Sequence, residues 1–436
     1  MTATDDTLSR VLAGRFPNPD APGTLQVATR HVVIAPSLAA RAVELLREAG
    51  IEGQRLAVVS DPETQRVLGA RVEVALAGHA RIDRIMLPSN PHPDDTAVER
   101  VRGAAAQAEA LVAIGSGTIN DIVKMAAFQL GKPYAVFGTA PSMNGYTSPT
   151  AAITVHGHKK SLPAAAALGV FLDTGVLAAA PARMIRAGLG DSLCRCTAQA
   201  DWLLAHHLRG EPYREAPFAL LKEDEDALFA APEALLAGER RAMERLARTL
   251  VLSGFGMAIC GNSKPASQGE HLISHYADML ARPEWPQNLH GEQIAVTTLT
   301  MARIQQRALT EPSPRLQPAT ATAEQLRGHF GAKLGEACWA ELARKQPDES
   351  ALDTINRRLA ADWPEIRAQI ASITRPAQQL HDILRRAGAP TTPADLGWPA
   401  AFYRDAVLHA REIRDRWTFL DFAADTGALT EAARAA

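Results

Sequence analysis

The chain has 436 residues, long for a single hydrophobic core, so two or three domains are expected. A net charge of −2, with 47% hydrophobic and 22% charged residues, fits a globular protein and gives no field to draw nucleic acid or an anionic membrane. The 4 cysteines are too few for a disulfide framework, and neither the acidic start at Met1–Asp6 nor the glycine-interrupted apolar run 249–260 has the form of a secretory signal or a membrane span. A cytoplasmic protein is expected, with neither nucleic acid nor membrane as a partner.

Residues 30–180 read as alternating strands and helices. Ala39–Ala49 has helical spacing of apolar residues, with Gly50 as a stop, and Arg55–Asp61 is a compact apolar run that ends in a polar turn. Strands are predicted over 82–87, 110–114 and 134–137, and helices over 96–108 and 120–130. Such alternation implies a parallel sheet covered by helices on both faces. Beyond about 180, leucine, alanine, arginine and glutamate dominate, and 192–208, 233–260, 265–281, 288–309, 321–345 and 350–386 carry helical periodicity. With Pro181 as a junction, the reading is an α/β N-terminal domain over 1–180 and an all-α domain over 181–436, with an active site expected between them.

Gly115-Ser116-Gly117-Thr118-Ile119-Asn120-Asp121 follows a predicted strand and opens a predicted helix. Glycines there let the backbone approach a phosphate, and the free N–H groups of the helix start supply donors; a tight strand-to-helix turn would look the same. The lysine of a P-loop and the full GxGxxG spacing are missing. The next strand end, from Gly138 through Thr139, Ala140, Pro141 and Ser142 to Ser148, is a second loop of small and polar residues, where parallel sheets bind ligands. Asp61 is placed either to accept hydrogen bonds from a ribose, which would favour NAD over NADP, or simply to form a turn.

Asp191, His271 and His290 offer one carboxylate and two imidazoles, a donor set that suits a divalent metal and leaves a coordination position open for catalysis. His275 lies one helical turn from His271, on the same face. A pair with that spacing is also common as satisfied structural histidines. Cys194 and Cys196 read as packed, reduced thiols.

Together with both loops, the contexts Gly188-Leu189-Gly190-Asp191, Pro265 through His271, and Leu289-His290-Gly291-Glu292 resemble the iron-containing alcohol dehydrogenase and dehydroquinate synthase-like superfamily. Within it the chain is similar to the sn-glycerol-1-phosphate dehydrogenase family, from about residue 30 to 305. The resemblance implies that Asp191, His271 and His290 bind one divalent metal, zinc first, with nickel or iron also fitting. It implies that Gly115, Gly117, Thr118, Ile119, Asn120, Asp121, Thr139, Ala140, Pro141, Ser142 and Ser148, with Asp61, hold NAD or NADP. His275 and Asp191 become the candidate catalytic residues. Asn144, Asp191, His275 and Lys264 become the candidate substrate-binding ones.

The implied reaction interconverts dihydroxyacetone phosphate and sn-glycerol 1-phosphate by hydride transfer, in a homo-oligomer. Relatives with a fourth ligand carry a histidine four residues after the aspartate, where this chain has Arg195. The family usually has an aspartate where this chain has Asn144, which keeps hydrogen-bonding reach but cannot act as a carboxylate base. The substrate phosphate needs a cation. Lys264 is the candidate, unless it is a solvated surface lysine; Arg195 and Lys124 are weaker, Lys124 being expected on a solvent-facing helix position. The alternatives are a polyol dehydrogenase acting on an unphosphorylated substrate, a dehydroquinate synthase-like lyase, and a nucleotide-binding protein without turnover.

Overall fold

A computed structural model describes residues 6–155 and 158–436, so the reading of the acidic start at residues 1–5 lies outside the described residues. Eight strands are described: β1 (His31–Ala35), β2 (Arg55–Ser60), β3 (Arg81–Met86), β4 (Ala110–Gly115), β5 (Tyr134–Gly138), β6 (Thr150–Val155), β7 (His158–Pro163) and β8 (Gly169–Asp173). Six of them form one sheet in the order β1-β8-β5-β4-β2-β3. Every neighbouring pair in that sheet is parallel. Strands β4, β5 and β8 are buried at every residue, and β4 and β5 accordingly read in sequence as unbroken apolar runs. The edge strand β3 instead alternates charged residues, and its Asp83 pairs with Arg55 of β2 at 2.5 Å. The separate antiparallel pair β6–β7 was not expected from the sequence.

The chain runs outward from β2 to β3 and then returns to the other side of β2 with β4. That reversal opens a crevice at the carboxyl ends of β2 and β4, the place where open parallel sheets take ligands. Asp61 and the Gly115–Gly117 turn stand at its two sides.

Six helices position the candidate residues: α1 (Gly117–Leu130), α2 (Ala182–Leu193), α3 (Arg195–Arg209), α4 (Arg240–Cys260), α5 (Gly269–Leu280) and α6 (His290–Thr310). The described chain forms two compact units, one made of 1–192 and 214–263, the other of 193–213 and 264–436. The junction expected near 180 marks a change in secondary-structure type; the helices of 214–263 pack with the sheet. Gly254 of α4 shows why, since a Cβ there would collide with Thr147 and with the Asn144 carbonyl.

The described residues of the second unit form helices joined by loops, with no strand among them. Its core joins Leu204 and Leu208 of α3, Leu272 and Ile273 of α5 and Met301 and Ile304 of α6 to Trp363, Tyr403 and Phe419 of later helices. No helix among the described residues is long and apolar enough to cross a membrane.

Candidate active site

In the first unit, β4 ends at Gly115, where a Cβ would lie 2.6 Å from that of Ile119, so glycine is what lets the chain turn directly into α1. Ser116 is the N-cap of α1 but makes no side-chain cap bond. The first N–H groups of a 14-residue helix therefore point, uncapped by that hydroxyl, into the crevice at the strand ends. Ile119 and Asn120 face inward: Ile119 is buried, and Asn120 accepts from the Tyr134 hydroxyl at 3.5 Å and donates to Asp121 at 3.1 Å. Backbone and Thr118 are what this loop offers outward. Asp61, at the end of β2, accepts from the N–H of Thr64 through Oδ1 at 2.8 Å, the turn-forming arrangement.

Lys124 corrects the sequence expectation. It is not solvent-facing but fully buried, and its ammonium donates to the carbonyls of Gly145 at 2.7 Å and Thr150 at 2.9 Å and to Ser148 Oγ at 3.3 Å. Asp121 accepts from the N–H of Ala152 at 3.0 Å and lies 3.5 Å from the Lys124 ammonium. Burial pushes both groups toward their neutral forms, and each charge opposes that shift in the other. The pair thus ties α1 to the second strand-end loop.

That loop is clamped from the other side too. A Cβ on Gly188 of α2 would run into the Pro141 carbonyl, so α2 seats against the loop only because glycine is there. The contact delivers Asp191: its Oδ2 accepts the N–H of Asn144 at 2.8 Å, in a setting where the carboxylate is 2% exposed. The Asn144 side chain donates to Ser253 Oγ of α4 at 3.3 Å, and Thr147 donates to the Val251 carbonyl at 2.7 Å. Thr139 and Ser142 are buried on the same loop, and the Tyr146 hydroxyl closes it onto the Ala140 carbonyl at 2.7 Å.

In the second unit, His271 and His290 come from α5 and from the first turn of α6, and their Nε2 atoms face each other at 3.2 Å. Two imidazole nitrogens so close need a proton or a cation between them. Two nitrogens on one tetrahedral metal at bonds of roughly 2.1 Å would lie ~3.4 Å apart, so the spacing fits a shared ion. His271 Nδ1 meets Glu270 Oε1 at 2.9 Å. With its proton held on Nδ1 toward the carboxylate, His271 presents Nε2 as a bare donor, the tautomer a metal requires.

Glu270 is itself fixed by the N–H of Gln268 at 2.8 Å and the hydroxyl of Thr197 at 3.0 Å. Burial would raise its pKa, but the bonds from His271 and the backbone outweigh this and hold it below the ordinary range. The His275 ring lies 5.9 Å from that of His271 and stacks at 6.4 Å on that of His290. Lys264 pairs with Glu211, and Arg195 donates to Gln199 at 2.8 Å. Sequence reasoning missed Glu270, Asp201 and Ser253; only Glu270, adjacent to His271, carried a local signal.

A parallel sheet with uncapped donors at its switch point, followed by a helical unit with converging histidines, defines a class. The sequence profile of the iron-containing alcohol dehydrogenases matches residues 33–181. The fold is shared with a probable glycerol dehydrogenase from Sinorhizobium meliloti 1021, at a TM-score of 0.61 and 19% identity over 94% of this chain and 98% of that one. It is shared also with glycerol dehydrogenase from Schizosaccharomyces pombe, at a TM-score of 0.64 and 15% identity over 96% and 93%.

In sequence the chain is 30% identical to glycerol-1-phosphate dehydrogenase (NAD(P)+) of Bacillus licheniformis, covering 86% of this chain and 84% of the relative. It is 32% identical to the same enzyme of Bacillus velezensis, covering 85% and 86%. The chain belongs to the glycerol-1-phosphate dehydrogenase family.

Proposed function

We propose that the protein is a metal-dependent, NAD(P)-linked alcohol dehydrogenase that interconverts dihydroxyacetone phosphate and sn-glycerol 1-phosphate. The observation that carries this reading is the facing Nε2 pair of His271 and His290, with Glu270 fixing the tautomer of one of them. Family membership supplies the substrate.

Asp191, His271 and His290 would hold one divalent cation, for which zinc is the first candidate. When bound, the cation supplies Lewis acidity toward the substrate oxygen, and the nicotinamide supplies or accepts the hydride. The residues of the chain do the rest. The uncapped start of α1 and the loop from Thr139 to Ser148 would hold the dinucleotide, the backbone donors of α1 being suited to a pyrophosphate. The free Oδ2 side of the Asp61 turn is the candidate partner of a ribose hydroxyl, which favours NAD.

Glu270 keeps His271 in its donor tautomer, and the backbone of Asn144 aims Asp191. His275, stacked on the ring of His290, would hold or pass the substrate proton. Asn144 orients a substrate hydroxyl, and Lys264 meets the phosphate by exchanging its Glu211 partner. The enzyme works as a homo-oligomer in the cytoplasm.

The engagement of Lys264 by Glu211 favours, as a second reading, an unphosphorylated polyol substrate. One assay separates the two: oxidation of NADH and NADPH by metal-reconstituted protein, with dihydroxyacetone phosphate beside dihydroxyacetone. Turnover of the phosphorylated ketone alone, abolished by His271→Ala, is the expected outcome. Equal turnover of the unphosphorylated ketone would move the assignment to a polyol dehydrogenase.

A further inference from the structure

His271 has two ring nitrogens, and each faces a different set of donors. Its Nε2 faces His290, while Nδ1 faces Glu270. On the Glu270 side lies a third donor, Cys194, at the junction between α2 and α3. Ligand atoms of Cys194, Glu270 and His271 all lie within 4.8 Å of one another. All three residues belong to the second unit, and they are 1%, 0% and 5% exposed.

The donor chemistry is specific. One thiolate and one carboxylate carry two negative charges, which neutralise a divalent ion in a site removed from water, and the imidazole adds a neutral ligand. Thiolate selects the softer metals, whereas the set Asp191, His271 and His290 contains no sulfur. Tetrahedral coordination brings such ligand atoms to roughly 3.5–3.8 Å, and the three donors lie inside the 4.8 Å span from which such a set can close on an ion. The Cys194 thiol donates to the Ala266 carbonyl at 3.7 Å, a weak sulfur hydrogen bond, and Glu270 already turns toward His271.

We infer that Cys194, Glu270 and the Nδ1 side of His271 form a second metal site, selective for thiophilic divalent cations such as zinc in excess or cadmium. Binding there displaces the thiol proton of Cys194 to solvent and moves the His271 proton from Nδ1 to Nε2. A protonated Nε2 cannot ligate the ion shared with His290, so the two sites exclude each other. That antagonism rests on the reading of His271 as a ligand of the active-site metal; capture of cadmium by the cysteine does not.

Cadmium titration of the metal-depleted full-length protein tests this, followed by thiolate-to-cadmium charge-transfer absorption. The expected result is a band that saturates at one equivalent, is lost in Cys194→Ser, and persists in Cys338→Ser and in Asp191→Asn. Glu270→Gln should weaken cadmium binding at least ~10-fold. No band, or a band that survives in Cys194→Ser, overturns the proposal and assigns any capture to another thiol. The ¹¹³Cd resonance of the unmodified protein gives a readout that needs no variant: a shift of a one-sulfur site is expected, and a shift of oxygen and nitrogen ligands alone overturns the site. Neither readout uses turnover, so failure here is distinct from failure of the substrate assignment.

Discussion

The backbone N–H of Asn144 donates to Oδ2 of Asp191 at 2.8 Å, so a residue in the loop after β5 sets the direction of the candidate carboxylate ligand on α2. The bond exists because α2 approaches the loop at Gly188, where no Cβ fits against the Pro141 carbonyl. Gly188→Ala should therefore push α2 from the loop and turn Asp191 away. We expect a loss of about 1–3 kcal/mol in stability from the added bulk. Zinc affinity, measured by chelator competition, should fall at least ~10-fold. Unchanged affinity in a folded variant would remove the loop from metal binding.

Glu270 is expected to act on the metal only through His271. Glu270→Gln keeps shape and volume but can present its N–H to Nδ1 and so release the tautomer. Metal affinity should drop roughly 10- to 100-fold while the far-ultraviolet circular dichroism stays the same. An affinity equal to that of the parent protein would show that the ring orientation is held by packing alone.

Lys124 is a structural cation inside the first unit. Lys124→Met removes its bonds to Gly145, Ser148 and Thr150 and leaves Asp121 without its cation. A cost of about 3–5 kcal/mol is expected, since one member of a buried charge pair is left alone. Urea unfolding of the double variant with Asp121→Asn should recover part of that loss. The KM for NADH should rise more than that for the ketone, because the loop that Lys124 tethers is the one assigned to the dinucleotide.

Asp201 gives a pH signature. It accepts the N–H groups of Gly269 at 2.9 Å and Phe419 at 3.0 Å and the Gln305 amide at 3.1 Å, which joins α3 to the start of α5, to α6 and to the helix Phe419–Asp425. Burial, followed by the charge of Glu270, pushes its pKa up to about 8 against those donors. The unfolded value is about 3.9, so the folded state favours the protonated form. Its contribution is complete below about pH 4 and is lost as pH rises toward 8. Asp201→Asn should thus gain stability relative to the parent protein between pH 5 and 8, by more than about 1 kcal/mol in urea unfolding. A constant difference across that range would mean that Asp201 is ionised throughout.

The parallel sheet was legible because β4 and β5 are covered on both faces and leave continuous apolar runs, with glycine where each strand turns into its loop. Strands β1 and β8 and the β6–β7 pair left weaker traces: β1 and β8 pair with each other from distant parts of the chain, and the neighbouring strands β6 and β7 are not continuous apolar runs. The helices of 214–263 read as helices but gave no hint that they pack with the sheet, since helical periodicity marks an apolar face and not what covers it. Lys124 escaped for a related reason. Every residue from Ile122 to Ala127 is buried, so this stretch of α1 has no solvent face on which to place an exposed lysine.

Composition, glycine placement and donor types, all local properties of the chain, determined that this is an α/β-plus-helical protein with two glycine-bearing strand-end loops and a candidate Asp-His-His donor set. Which nitrogen of His271 is bare, where Asp191 points, and that Cys194 stands behind His271 were decided only by the tertiary structure. Each depends on a hydrogen bond or an approach between residues 47 to 77 positions apart, made by Asn144 to Asp191, Thr197 to Glu270 and Cys194 to His271. Contacts at that range are fixed by how whole helices pack, and a local pattern holds no record of them.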